Sequence, residues 1–125
     1  MASKQEGKLR VAVIGTGNMG RNHVRNYFML PESELVAIAD VNPEAKSLAE
    51  DYKAKFFTDY KEMLEEARPD AVSVVVPTPF HLEVATEVMS RGIHCMLEKP
   101  IASSVEEADK LIACAKKNNV TFTVG

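Results

Sequence analysis

The chain has 125 residues, 46 % of them apolar, a formal net charge of −3 and two cysteines. These values suit one globular domain. Without an excess or cluster of basic residues they exclude a nucleic-acid footprint, and no apolar run reaches membrane-spanning length. The polar start, Met1 to Lys8, lacks the apolar stretch of a signal peptide and reads as a short disordered leader before a domain spanning 9–125. Cys95 and Cys114 have no metal-ligand spacing. They read as reduced core residues, one in a strand and one on a helix, which points to the cytoplasm.

The first half alternates strand and helix. Leu9 to Ile14 reads as a buried strand running into Gly15, Gly17 and Gly20. That spacing, G-x-G-x-x-G between a strand and a helix, predicts a turn that aims helical N–H groups at a pyrophosphate. Thr16, Asn18 and Met19 complete the loop as cofactor-contact candidates. The helix is expected from Asn18 to Leu30, with Met19, Val24, Tyr27 and Phe28 inward, and Pro31 stops it. Leu35 to Ala39 is the second strand, ending at Asp40. Asn42-Pro43 caps a helix carrying Ala45, Leu48, Ala49 and Tyr52 on one face. Lys55 to Phe57 is a short third strand. Asp59 caps a helix holding Tyr60, Met63, Leu64 and Ala67.

The second half repeats the scheme. Ala71 to Val76 reads as a central strand buried on both faces. Thr78 is expected to cap the next helix, with Pro79 at its first position. That helix buries Leu82, Ala85, Val88 and Met89, and Gly92 closes it. Ile93 to Leu97 is the fifth strand, followed by Glu98-Lys99-Pro100. Ser103 and Glu106 form a capping box for a last helix with Val105, Ala108, Leu111, Ile112 and Ala115 on one face. Val120 to Val124 is the sixth strand.

Six strands alternating with five helices predict a doubly wound, Rossmann-type α/β sheet in the order 3-2-1-4-5-6, with helices on both faces. Ligands bind beyond the C-terminal strand ends in such a sheet. That rim would gather Gly15, Asp40, Pro77, Thr78, Glu98 and Lys99. Asp40 lies about 20 residues past the glycines, where a carboxylate accepts hydrogen bonds from an adenosine ribose. It would repel a 2′-phosphate, and Val41 and Asn42 bring no arginine. NAD is therefore favoured over NADP.

Gly15 to Gly20, Thr78-Pro79-Phe80-His81 and Glu98-Lys99-Pro100 together resemble the glucose–fructose oxidoreductase / inositol 2-dehydrogenase / MocA family, from about Leu9 to Gly125. Each motif alone is modest, but the combination is specific. The resemblance implies an oxidoreductase moving hydride between NAD and a hydroxyl or carbonyl of a sugar, cyclitol or sugar nucleotide. It implies that Lys99 orients the substrate oxygen, that Glu98 holds the nicotinamide ribose and that Pro100 shapes the turn. His81 matches a family histidine near a helix start, where the dipole disfavours imidazolium. It could touch cofactor or substrate, or simply pack. His23 and His94 read as structural.

Family members continue into a second α/β domain that forms the substrate pocket and often carries a histidine base. The 125 residues leave no room for it, so the chain is expected to be a cofactor domain from a longer protein, homo-oligomeric when intact, rather than the alternative, a natural short relative. Two other readings use the same loop. One is a non-catalytic NAD(P)-sensing module, which would not need Lys99. The other is a methyltransferase binding S-adenosylmethionine, which the third glycine and the six-strand alternation disfavour.

Overall fold

The computed structural model describes residues 7–125, so most of the expected leader lies outside the described residues. Six strands form one parallel sheet: β1 (Leu9–Ile14), β2 (Ser33–Ala39), β3 (Lys55–Phe57), β4 (Ala71–Val74), β5 (His94–Leu97) and β6 (Phe122–Val124). Their order is β3-β2-β1-β4-β5-β6, as the alternation requires. The helices are α1 (Asn18–Met29), α2 (Lys46–Asp51), α3 (Tyr60–Ala67), α4 (His81–Ser90) and α5 (Val105–Asn118).

Strand alternation sorts the core into two layers. Val11, Val13, Leu35 and Ile38 pack with Val24 of α1 and Leu48 and Ala49 of α2. Ala12, Ile14, Val72, Val74, Cys95 and Leu97 face the other way, toward Met63 and Leu64 of α3, Val84 and Val88 of α4 and Leu111 of α5. Between Val72 and Val74 lies Ser73, a fully buried hydroxyl turned to the α1 side. Local signals act where expected. Asn42 accepts from the Glu44 N–H at 3.0 Å and Asp59 from the Lys61 N–H at 2.9 Å. Gly92 takes a left-handed φ of +77° just past α4.

Several local expectations need correction. Thr78 does not cap α4. A 3-10 turn over Thr78–Phe80 precedes the helix, Pro77 stands before it, and no side chain caps it. The capping box sits one residue later than Ser103/Glu106. The Ser104 hydroxyl accepts from the Glu107 N–H, and the Glu107 carboxylate accepts from the Ser103 N–H. Both registers satisfy the Ser-x-x-Glu pattern, and the helix begins after the second serine. Leu111 and Ala115 centre the apolar stripe of α5, whereas Val105 and Ile112 lie on its margin and are exposed. Phe28 and Met19 of α1 are also exposed. Phe28 instead meets Tyr52 edge-on, with ring centroids 5.1 Å apart. On α4, Val84 takes the buried place expected of Leu82, which is only partly covered. β4 stops at Val74, two residues short of expectation, because its neighbour β1 turns away at Gly15. Cys114 is half-buried rather than core, and both thiols are free.

Candidate functional site

One row of the sheet register positions the site. Ala39, Ile14, Val74, Leu97 and Val124 are paired side by side across five strands. Asp40, Gly15, Val75, Glu98 and Gly125 are therefore the first residues beyond that row. Three interstrand spacings separate Asp40 from Glu98, roughly 14 Å.

The glycine loop is built by close backbone approach. Gly15 has φ +96°, and a Cβ on it would lie 2.2 Å from the Val75 carbonyl oxygen. A Cβ on Gly20 would lie 2.0 Å from the carbonyl oxygen of Gly15. The third glycine thus lets α1 close on the loop itself rather than on the strand. Gly17 differs from both. Its φ is −66°, and a Cβ there would meet nothing within 4 Å. It borders open space in front of the first turn of α1, which has no side-chain cap and no acidic residue. Those free N–H groups fit a pyrophosphate.

Asp40 is already engaged. Its Oδ2 accepts from the Thr16 N–H at 2.8 Å and from the Thr16 hydroxyl, and its Oδ1 accepts from the Asn42 N–H at 2.9 Å. Burial pushes the carboxyl pKa up, but the Thr16 hydroxyl, the two N–H donors and the charge of Arg21 outweigh it and hold it below the ordinary range. A carboxylate offers about four acceptor positions. With three in use, one on Oδ1 is left open. Thr16 is 6 % exposed, so its part is to tie the loop to β2. Although Val41 and Asn42 bring no arginine, the charge of Arg21 on α1 is felt at Asp40.

At the other end, Lys99 is exposed and Glu98 is half-buried. The Glu98 N–H donates to the Val74 carbonyl, and the Lys99–Pro100 peptide bond is cis. His23, expected to be structural, lies within hydrogen-bond reach of Glu98, its Nε2 3.1 Å from Oε2. Its Nδ1 lies 3.1 Å from Ser73 Oγ, which also meets the Tyr27 hydroxyl. The available signals were a histidine one helical turn past Gly20 and a lone hydroxyl in the apolar run of β4.

His81 is shut away, with 1 % exposure. Its Nε2–H donates to the Val76 carbonyl at 2.8 Å, and Nδ1 lies 3.3 Å from the Ile101 carbonyl. It links the loop after β4 to the loop after Pro100, in keeping with packing rather than ligand contact. Asn18 and Met19 are exposed on the first turn of α1, Pro77 is exposed after β4, and Thr78 is half-buried at the start of the 3-10 turn. His94 is exposed on β5 at the opposite end, its Nδ1 accepting from the Thr121 N–H. A concavity of about 540 Å³ also lies at that opposite end, between Leu9, Arg68, Asp70 and Arg91. Its Arg91 is already paired with Glu65 and Glu87, and it holds none of the rim residues. Among the described residues there is no cluster of side chains suited to a metal and no helix long and apolar enough to cross a membrane.

Comparison with known proteins agrees with this geometry. The sequence profile described as "Oxidoreductase family, NAD-binding Rossmann fold" matches residues 9–125. UDP-N-acetylglucosamine 3-dehydrogenase of Acidithiobacillus ferrooxidans is 37 % identical over 118 residues, which is 94 % of this chain and 36 % of the relative. The crystal structure of scyllo-inositol dehydrogenase from Lactobacillus casei with NAD(H) and scyllo-inositol superposes with a TM-score of 0.89 at 25 % identity, covering 94 % of this chain and 36 % of that one. The WlbA dehydrogenase from Bordetella pertussis, in complex with NADH and UDP-GlcNAcA, gives a TM-score of 0.89 at 29 % identity, covering 94 % and 37 %. The chain thus spans little more than a third of the length of these proteins. Its glycine loop, the acid ending β2 and the Glu-Lys-Pro ending β5 belong together: the chain is a member of the glucose–fructose oxidoreductase / inositol 2-dehydrogenase / MocA family and forms its NAD-binding Rossmann domain.

Proposed function

We propose that this chain is the cofactor half of an enzyme that moves hydride between NAD and a hydroxyl or carbonyl of a sugar, cyclitol or sugar nucleotide. One observation carries the reading: Asp40, the glycine loop and Glu98-Lys99 all leave the sheet from the same register row. Asp40 receives a hydroxyl of the adenosine ribose on its open acceptor. Gly15 to Gly20, with Thr16, Asn18 and Met19, cradle the pyrophosphate. Pro77 and Thr78 border the cofactor from the loop after β4, and Glu98 accepts from the nicotinamide ribose. His81 acts from beneath, by joining the two loops that flank it. Bound NAD would take or give the hydride.

Lys99 supplies the charge. Oxidising a hydroxyl, or reducing a carbonyl, develops negative charge on the substrate oxygen. An ammonium placed there donates a hydrogen bond that strengthens as the charge grows. Hydride transfer also needs the two carbons in contact and water largely excluded. The 125 residues supply one wall of such a site. The opposite wall, with the group that takes the hydroxyl proton, comes from the part of the relatives' length not represented here. The free thiols support a cytoplasmic setting, and the reading includes a homo-oligomeric intact protein.

The test is Lys99→Ala in the intact parent protein. A fall in kcat on the order of 10²–10³, with NAD affinity nearly kept, matches removal of one charge-stabilising donor. Lost NAD affinity with near-normal kcat at saturating cofactor would instead place Lys99 in the cofactor site. Unchanged turnover would remove Lys99 from the reaction, and NAD binding without any turnover in the wild-type protein would make a nucleotide-sensing module the better reading.

A further inference from the structure

A fully buried hydroxyl in a central strand must find partners. Besides a weak contact to the Met96 sulfur, Ser73 finds two, and both of these come from α1. His23 and Tyr27 stand four residues apart, on one face of the helix. Nδ1 of His23 lies 3.1 Å from Ser73 Oγ, and the Tyr27 hydroxyl meets the same oxygen. The far side of the imidazole reaches Glu98, Nε2 to Oε2 at 3.1 Å, and both side chains are only 16 % exposed. The chain Tyr27–Ser73–His23–Glu98 therefore joins α1, β4 and the end of β5.

Counting protons orients it. An ionised Glu98 carboxylate only accepts, so the ring carries a proton on Nε2. A neutral ring then accepts at Nδ1 from the Ser73 hydroxyl, and Ser73 accepts from the Tyr27 hydroxyl. Each donor has one acceptor and no proton is used twice. Ser73 has one competing acceptor, the Met96 sulfur at 3.7 Å, which is a weak one. Glu98 thus fixes the tautomer, and the Ser73 hydroxyl meets the nitrogen left without a proton. This is how a partner on one imidazole nitrogen sets the chemistry of the other.

We propose that His23 is a positioning residue: with its ring braced from behind by Ser73 and Tyr27, it holds the Glu98 carboxylate in the place from which Glu98 receives the nicotinamide ribose. This rests on the proposed role of Glu98. It makes α1 contribute at two places along the cofactor, to the pyrophosphate by its first turn and to the nicotinamide side by the residue one turn further on.

The test measures NADH and ADP binding to the 125-residue chain, since ADP lacks the nicotinamide ribose. Glu98→Gln tests the role of Glu98 alone. His23→Phe is expected to weaken NADH about tenfold and ADP by less than about twofold. His23→Gln, whose amide nitrogen reaches to where Nε2 stands, should restore most of the loss. In the double variant His23→Phe/Glu98→Gln, the loss should not exceed that of Glu98→Gln alone. Additive losses, or equal weakening of NADH and ADP by His23→Phe, would make the ring a packing residue and overturn the inference while leaving the role of Glu98 intact. If Glu98→Gln leaves NADH binding unchanged, the role of Glu98 fails and the inference fails with it. Should His23→Phe not fold, His23→Asn replaces it. Its shorter amide reaches only the Nδ1 position, so NADH binding equal to that of His23→Gln would overturn the proposal.

Discussion

The two ends of the rim are made of different material. The end at β1 and β2 is mostly backbone: N–H groups of an uncapped helix, glycines packed against carbonyls, and a carboxylate tied to two N–H groups. The end at β5 is mostly side chain: an exposed lysine, and a glutamate held by a histidine that is held by a serine. Backbone donors recognise what every such cofactor shares, its phosphates and ribose. Side chains on a strand end can be exchanged without disturbing the sheet, and the chemistry is assigned to them. The comparison predicts that substitutions at the first end change binding or folding, whereas Lys99→Ala, the largest expected effect, changes turnover.

Within the first end, the glycines separate folding from binding. Gly17→Val should leave the domain folded, because its φ is one that any residue adopts and its Cβ would stand in open space. It should remove NADH binding nearly completely by filling the approach to the first turn of α1. Gly20→Ala should do the reverse and destabilise the fold, because its Cβ would fall 2.0 Å from backbone. Calorimetric titration paired with thermal unfolding checks both. A well-folded Gly17→Val protein with normal NADH affinity would place the phosphates elsewhere.

Asp40→Ala comes next in size. With one acceptor open, it should cost about 1.5–3 kcal/mol of NADH binding, the range for one hydrogen bond to a charged group. It should also narrow any preference over NADPH. Equal affinity of the wild-type chain for the two cofactors would break the assignment of Asp40 to an unphosphorylated ribose.

The smallest effect is on acid stability without cofactor. The pKa of Asp40 is lowered on folding from an ordinary 3.8. Its ionised form therefore stabilises the fold above that value, and the contribution fades as pH falls through the lower folded one. Denaturant titrations of wild type and Asp40→Asn should show a gap at about pH 6 that closes below 3.8. A gap that widens toward acid would contradict the hydrogen bonds assigned to Thr16 and Asn42.

The fold was legible in the sequence because its signals repeat. Six strand-like runs, the first five each followed by a turn and a periodic helix, leave little choice of topology, and the order 3-2-1-4-5-6 is found. Errors fell where two local choices were equally satisfied, as with Ser103 and Ser104. They also fell where a stripe of apolar residues was wider than the surface it covers, as at Val105 and Ile112. Of the candidate site, the placement on one rim of the glycines, Asp40 and the Glu98-Lys99 step was readable, because each follows a strand end. Contacts between distant segments were not. Nothing in the neighbourhood of His23 shows that Ser73 and Glu98, 50 and 75 residues away, meet its two nitrogens.

The Thr16–Asp40 tie has a consequence for the heat and entropy of binding. A glycine-rich loop left free would lose much of its freedom when a ligand arrives, and that loss would weaken affinity. Here the loop is pinned to the end of β2 by a carboxylate, through contacts internal to the chain. The ordering takes place during folding, where the whole sheet shares it. Cofactor association is left with contacts to form and little backbone to arrest, so its signature should be that of a rigid receptor rather than of a segment folding around its guest.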